Sequence, residues 1–155
     1  MKLFSYLLLT LLILASCEEK KEVIEQPVNK TENKSLSLEG TWELIGYYNY
    51  QGNEVVNVFE ANDDVQQIKM YTKGHFMWSK KVPKDSTEWH GFGTYVQTDS
   101  TLSETVKYGS AAMQNLTSVS DQFFYQLELD KNSYSQIVTD DEGYRIYSEN
   151  YKRID

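Results

Sequence analysis

From residue 38 onward apolar and polar residues alternate with a period of two, the pattern of strands that turn one face to a core and the other to water. Eight such segments can be delimited: 38–50, 65–72, 75–82, 88–98, 101–108, 119–129, 133–139 and 144–154. The separators Lys73-Gly74, Asp99-Ser100, Asp130-Lys131-Asn132 and Asp140-Asp141-Glu142-Gly143 are short and made of turn residues, so neighbours are expected to pair antiparallel. No segment sustains a helical period, and short helical turns have room only in the gaps 51–64 and 109–118. Eight antiparallel strands in residues 36–155, without βαβ spacing, predict an all-β domain: an eight-stranded up-and-down β-barrel that removes its own sheet edges by closing. A β-sandwich is the alternative architecture.

Turn chemistry then assigns faces. Lys-Gly is a poor two-residue hairpin, so Thr72-Lys73-Gly74 reads as a three-residue loop with its glycine left-handed. That register sets Met70 opposite Phe76 and Ile68 opposite Trp78 as the core face, and turns Lys69, Tyr71, His75 and Met77 to the other side. A two-residue turn at Asp99-Ser100 sets Tyr95 opposite Glu104 and Gly93 opposite Val106. Leu102, Gln97, Trp89, Gly91 and Tyr108 share that face, and Glu104 therefore points inward. Gly91 and Gly93 let strand 88–98 bend sharply, as a barrel corner requires.

The alternation is absent before residue 36. Met1 and Lys2 give a basic start, Leu3 to Leu14 is an apolar run broken only by Ser5, Tyr6 and Thr10, and Leu14-Ala15-Ser16-Cys17 follows. A membrane span needs about 20 apolar residues; this shorter run ending in small residues reads as an export signal. Leu-Ala-Ser-Cys resembles the lipobox of bacterial lipoproteins, which implies that residues 1–16 are a signal peptide and that Cys17 becomes the acylated first residue of the mature chain. Cys17 is the only cysteine, so the chain can build neither an internal disulfide nor a thiolate zinc site. With several acyl chains on that residue, each methylene contributing about 0.8 kcal/mol, the expected partner is a lipid membrane.

Residues 17–35 are expected to be the lipidated cysteine and a flexible tether. The stretch from Glu18 to Ser35 has no aromatic residue and many charges, too little apolar surface to offset its ordering entropy. Its eighteen residues would span on the order of 25 Å as a random coil. Glu18-Glu19 resembles the acidic signal that sends some lipoproteins to the cell surface, so the expected address is the cell envelope, at the outer membrane or surface rather than the inner membrane. Removing Lys2 with the leader takes the formal charge from −8 to −9, a surface that repels nucleic acid and anionic lipid heads.

Beyond Ser35 lie 19 of the 21 aromatic residues, and with them the motifs of a known family. Gly40-Thr41-Trp42 entering the first strand and Tyr151-Lys152-Arg153-Ile154 on the last resemble the opening and closing strands of lipocalin-like domains of the calycin type, over residues 38–155. The resemblance implies that Gly40, Trp42 and Arg153 close one end of the barrel, with the guanidinium lying across the indole, a cation–π contact of about 0.5–2 kcal/mol. Intracellular fatty-acid-binding relatives carry Arg-x-Tyr on the closing strand to hold a carboxylate; here the triplet is Glu149-Asn150-Tyr151, which disfavours an anion held in that way.

Candidate chemistry is sparse. There is no Gly-x-Ser-x-Gly, phosphate-binding glycine loop, His-x-x-x-His or paired metal spacing, so no catalytic residue, metal or cofactor is assigned and an enzyme is not expected. His75 and His90 fall at outward positions. Glu104 and Glu149 are inward on different strands, and each is expected either to be satisfied by Arg145, Arg153, Lys80 or a tyrosine hydroxyl, or to contact a ligand. Trp78, Trp89, Tyr95, Phe123, Tyr125 and Tyr151 could either line a pocket or fill a small barrel solidly.

The candidate ligand-contacting set is Tyr48, Trp78, Tyr95, Glu104, Tyr125, Glu149 and Tyr151, toward the end of the barrel away from Trp42. The expected function is a membrane-anchored protein that binds a small, largely apolar, neutral or cationic ligand under a flexible lid formed by residues 51–64. The alternative is a filled barrel serving as a periplasmic or surface protein-interaction module.

Overall fold

The computed structural model describes residues 36–82 and 87–155. The expected signal peptide 1–16, Cys17, the Glu18-Glu19 pair and the tether 17–35 lie outside the described residues. The elements in chain order are β1 (Gly40–Gln51), β2 (Glu54–Glu60), β3 (Gln66–Thr72), β4 (His75–Lys81), β5 (Trp89–Gln97), β6 (Thr101–Gly109), α1 (Ala111–Thr117), β7 (Gln122–Leu129), β8 (Ser133–Thr139) and β9 (Arg145–Arg153). All strand pairs are antiparallel in the order β2-β1-β3-β4-β5-β6-β7-β8-β9, and β1 also pairs with β9. Eight strands therefore close a ring, which excludes the sandwich, and β2 stands outside it as a flap on β1.

β1 makes this possible by its length. On one edge its first part pairs with β3, from Gly40↔Tyr71 to Glu43↔Ile68, and its second part pairs with β2, from Gly46↔Glu60 to Gln51↔Glu54. On the other edge it pairs with β9, from Trp42↔Arg153 to Asn49↔Tyr147. The register shifts between Leu44 and Gly46, so Ile45 bulges out and the inward alternation resets. Trp42 and Leu44 are buried before the bulge, and Tyr47 stacks on Tyr147 after it. Gly46 sits where β2 crosses closely, since a Cβ there would lie 2.7 Å from the Phe59 carbonyl oxygen.

Two expectations from the sequence are corrected in this region and one in the next. Residues 51–64 hold neither helical turn nor loop lid but the β1–β2 hairpin. Gly52 and Asn53 both have positive φ, +58° and +69°, the primed turn whose twist matches its strands. Between β3 and β4 the turn has two residues, not three: Thr72 pairs with His75 across Lys73-Gly74, with Gly74 at φ +79°. This one-residue slip exchanges the faces of both strands. Tyr71 now lies opposite Phe76 and Lys69 opposite Trp78 on the inner face, while Met70 and Met77 pair on the outside.

The Asp99-Ser100 hairpin has the expected register, with Gly93↔Val106, Tyr95↔Glu104 and Gln97↔Leu102, and it buries Glu104. Tyr108 is the exception to that face. A bulge between Phe92 and Gly93 turns it outward, where its ring stacks on Phe92 at 5.1 Å. In the gap 109–118 a helix does form. Ser110 caps α1 by accepting the Met113 N–H at 3.3 Å, and Met113 is buried beneath it.

The closed end is dry and aromatic. Trp42 is fully buried, donates its indole N–H to the Leu38 carbonyl at 2.7 Å and meets Tyr134 edge-on at 4.8 Å. Burying an indole of about 200 Å² contributes about 5 kcal/mol. The Arg153 guanidinium lies 4.1 Å from the centre of the Trp42 ring and donates to the carbonyls of Ser37, Glu39 and Lys131. Gly40, at φ +138°, leaves the room this needs, because a Cβ there would come within 2.1 Å of Arg153 Nη1.

Candidate functional site

Each inward-facing strand position forms one layer of the barrel, and the next lies two residues along. At the layer of Tyr71, Leu102, Leu127, Tyr134 and Tyr151 the interior is filled, all five side chains being buried. One step further along the same strands stand Lys69, Glu104, Tyr125, Gln136 and Glu149, and here the interior opens into a cavity of about 240 Å³. Its walls are Trp78 on β4, Trp89 on β5 and Phe123 and Tyr125 on β7. Met113 and Leu116 of α1 contribute to its lining, as do Val106, Gln67 and Lys80. Gly91 makes room for the Trp78 ring, as a Cβ there would sit 2.8 Å from its Nε1.

The floor is a continuous polar network. The Lys69 ammonium contacts both carboxylate oxygens of Glu104, at 2.8 and 2.9 Å, and donates to Gln136 Oε1 at 2.7 Å. Tyr71 donates to Glu104 Oε1 at 2.6 Å. The Gln136 amide carries the chain onward, donating to Glu149 Oε2 at 2.9 Å. That oxygen also accepts from the Tyr151 hydroxyl and, at 3.4 Å, from Gln67, whose amide donates to the Tyr151 oxygen at 2.7 Å. Both Lys69 and Glu104 are almost completely buried, a situation tolerated only because each is paired and hydrogen-bonded. The Lys69 ammonium also lies 5.4 to 6.0 Å from the ring centres of Phe76, Tyr71 and Tyr125.

Burial, and then the negative charges of Glu104 and Glu149, hold the Tyr71 and Tyr151 hydroxyls well above the usual tyrosine value. Burial first and Glu104 second do the same for Tyr134. The phenols of Tyr71 and Tyr151 therefore stay protonated and act as donors to the two carboxylates.

Of the residues singled out by sequence, Trp78, Glu104, Tyr125 and Glu149 line this cavity together. Tyr151 lies beneath it, stacked on Tyr134 at 4.6 Å, and reaches it only through its hydroxyl. Tyr95 is placed toward the closed end, edge-on to Tyr71 at 4.8 Å, and does not line the cavity. Tyr48 is a correction: the Ile45 bulge turns it outward, into a surface groove with Glu43, Ile45 and Glu60. Glu104 finds its cation in Lys69, which the sequence pattern places outside, while Arg145 pairs with Glu128 and Arg153 with Asp155 at the closed end. His75 and His90 are exposed.

Lys69, Gln67 and Gln136 are functional candidates that the alternation hides, since a polar layer inverts the rule that the apolar face is the inner one. Met113 and Leu116 carry a findable signal in the Ser110 cap. Among the described residues no group of three or more His, Cys, Asp or Glu is placed to hold a metal ion.

No protein-family model and no curated protein matches the chain. Two solved structures share its architecture, an uncharacterized protein from Bacteroides eggerthii DSM 20697 and a lipocalin-like protein from Bacteroides uniformis ATCC 8492. Each is 17% identical to this chain with a TM-score of 0.50 and covers 76% of it, and the match spans 100% and 98% of the two neighbours respectively. At that identity the likeness shows the fold alone, and the fold is lipocalin-like.

Proposed function

We propose that this chain is a lipid-anchored binding protein whose barrel takes one small, largely apolar molecule into the cavity beside α1. The observation that carries the reading is the cavity itself, an unfilled space walled by four aromatic side chains around a few fixed polar groups, which is the usual composition of a ligand site. Its size narrows the ligand. A cavity of about 150 Å³ admits benzene, so 240 Å³ suits about ten non-hydrogen atoms. A long-chain fatty acid is too large, and Glu149 at its side opposes a carboxylate. The lipocalin-like fold supports a binding role over an enzymatic one.

Native mass spectrometry of the protein purified from its own host should find one bound small molecule, and Val106→Trp, which puts an indole into the cavity, should abolish it. Protein that carries nothing and takes up no small aromatic compound would end this reading. The anchor rests on the lipobox-like motif. Cys17→Ser should leave the chain unprocessed or released from membranes, and normal processing with continued membrane fractionation would refute it.

A second reading, a protein-docking role, is favoured by β2. It sits at the end of the sheet order, and Val55, Val56, Val58 and Phe59 are all exposed on it. A photo-crosslinking residue at Val58 should then capture one reproducible protein in intact cells; the absence of any would remove this alternative.

A further inference from the structure

The charges around the cavity are not equivalent, and their difference specifies a ligand class within the binding role proposed above. Four formally charged side chains line the space: Lys69, Glu104, Lys80 and Glu149. Lys69 and Glu104 hold each other at hydrogen-bond distance and so neutralise each other's charge. Lys80 stands over the face of Tyr47, 4.9 Å from its ring centre, and has no ion pair among the described residues. Glu149 has no cation within ion-pair distance among the described residues, although it is partly buried.

The two oxygens of Glu149 also differ. Oε2 is crowded, accepting from Gln136, Tyr151 and Gln67. Among the described residues Oε1 accepts only from Tyr147, and at 3.4 Å that contact is long. A carboxylate has about four acceptor positions, so Oε1 keeps vacant ones. An under-used anionic oxygen beside a cavity walled by Trp78, Trp89, Phe123 and Tyr125 is a cation-selective arrangement twice over, through the formal charge and through the negative faces of the rings. A guest carboxylate that reached Lys80 would still have to face Glu149, and a hydrocarbon guest would leave Oε1 with only the long contact from Tyr147.

We infer that the cavity selects a small organic cation, a protonated primary amine on a flat apolar body, with its nitrogen donating to Glu149 Oε1. Lys80 does not reverse this preference. Its ammonium is engaged over the Tyr47 ring and not at Glu149, so the position beside Oε1 is left to the guest.

Three probes of matched size separate this inference from the binding role on which it rests: phenethylamine, propylbenzene and phenylacetate, titrated by calorimetry and by NMR into the mature protein purified from its host. Phenethylamine should bind about tenfold or more tighter than propylbenzene, the ratio expected of one charge-assisted hydrogen bond, with phenylacetate weakest. Glu149→Gln should lower phenethylamine to the level of propylbenzene and leave propylbenzene unchanged, while Lys80→Met should leave the amine's affinity equal or greater. Propylbenzene or phenylacetate binding as tightly as the amine overturns the inference and leaves the cavity a ligand site. Binding of none of the three removes both. The probe series is read on the unmutated protein, so the outcome does not depend on whether Glu149→Gln folds.

Discussion

At the closed half of the barrel Tyr71, Tyr134 and Tyr151 pack beneath Trp42 and are almost completely buried, whereas two residues along on the same three strands stand Lys69, Gln136 and Glu149 around an open space. Strand geometry sets that step, since every second residue faces inward. The tyrosines join the halves: the rings of Tyr71 and Tyr151 belong to the dry layer and their hydroxyls to the polar one, donating to Glu104 and Glu149. The dry layer gains its stability from area removed from water, which is tolerant of geometry in detail. The polar layer gains little net stability from its ion pair but loses heavily if one member is removed, so it depends on every partner being present.

Raising the pH attacks the joint between the layers and should give the largest effect. The folded state holds the Tyr71, Tyr134 and Tyr151 hydroxyls above their ordinary value of 10.0, so above pH 10 it binds protons that the unfolded chain has released. Their contribution to stability is complete below pH 10 and is lost as the pH rises from there toward the folded-state values. Each such tyrosine costs about 1.4 kcal/mol per pH unit, so the three together cost about 4 kcal/mol for each unit, against a typical total of about 5–15 kcal/mol. Thermal melts between pH 8 and 12 should be level at first and then fall steeply above 10. The phenolate signals of Tyr71, Tyr134 and Tyr151, each read as the difference from its Phe variant, should rise together with unfolding, and phenolate formation at any of the three in a still folded protein would contradict the assignment.

Substitution separates the halves more sharply. Lys69→Met leaves Glu104 buried with only the Tyr71 hydroxyl and should cost about 3–5 kcal/mol in urea unfolding. Lys69→Met combined with Glu104→Leu removes both charges and should restore most or all of that stability. Trp42→Ala in the dry layer should also cost about 3–5 kcal/mol, through a cavity that no partner substitution of this kind repairs. If the double variant is as unstable as Lys69→Met alone, the polar layer is not organised around that ion pair.

The same contrast governs what the sequence discloses. Ring closure is legible because the dry layer obeys the usual rule: Trp42, Leu44, Leu102 and Leu127 are apolar and inward. The β5–β6 register is legible for the same reason, and it brings Glu104 inward as a consequence of its neighbours. The β3–β4 register is not, because Ile68 and Met70 outrank Gln67 and Lys69 on any hydrophobic scale, yet the lysine is the inner residue. Its justification lies 35 residues away in Glu104, a contact that local pattern does not contain. β2 escapes for a different reason. All seven of its residues are exposed, and a strand with no buried face has no period to read, although Gly52-Asn53 announces its turn. Tyr48 is misplaced because a bulge of one residue, Ile45, resets the alternation without any mark in composition.

The mildest change tests whether the closed end and the cavity are independent. Arg153 is partly exposed, and its planar guanidinium both lies over Trp42 and reaches three backbone carbonyls. Arg153→Lys keeps the charge but loses the plane and most of that fork, so it should cost about 1 kcal/mol, within the range of an isolated cation–π contact. Because Trp42, Tyr134 and Tyr151 intervene between Arg153 and the cavity, phenethylamine affinity should not change. A loss of stability with unaltered probe binding would show that the dry layer acts as a rigid base for the polar one. A loss of both would mean that strain at the closing strand passes along β9 from Arg153 to Glu149, four residues away, and that the two halves work as one unit.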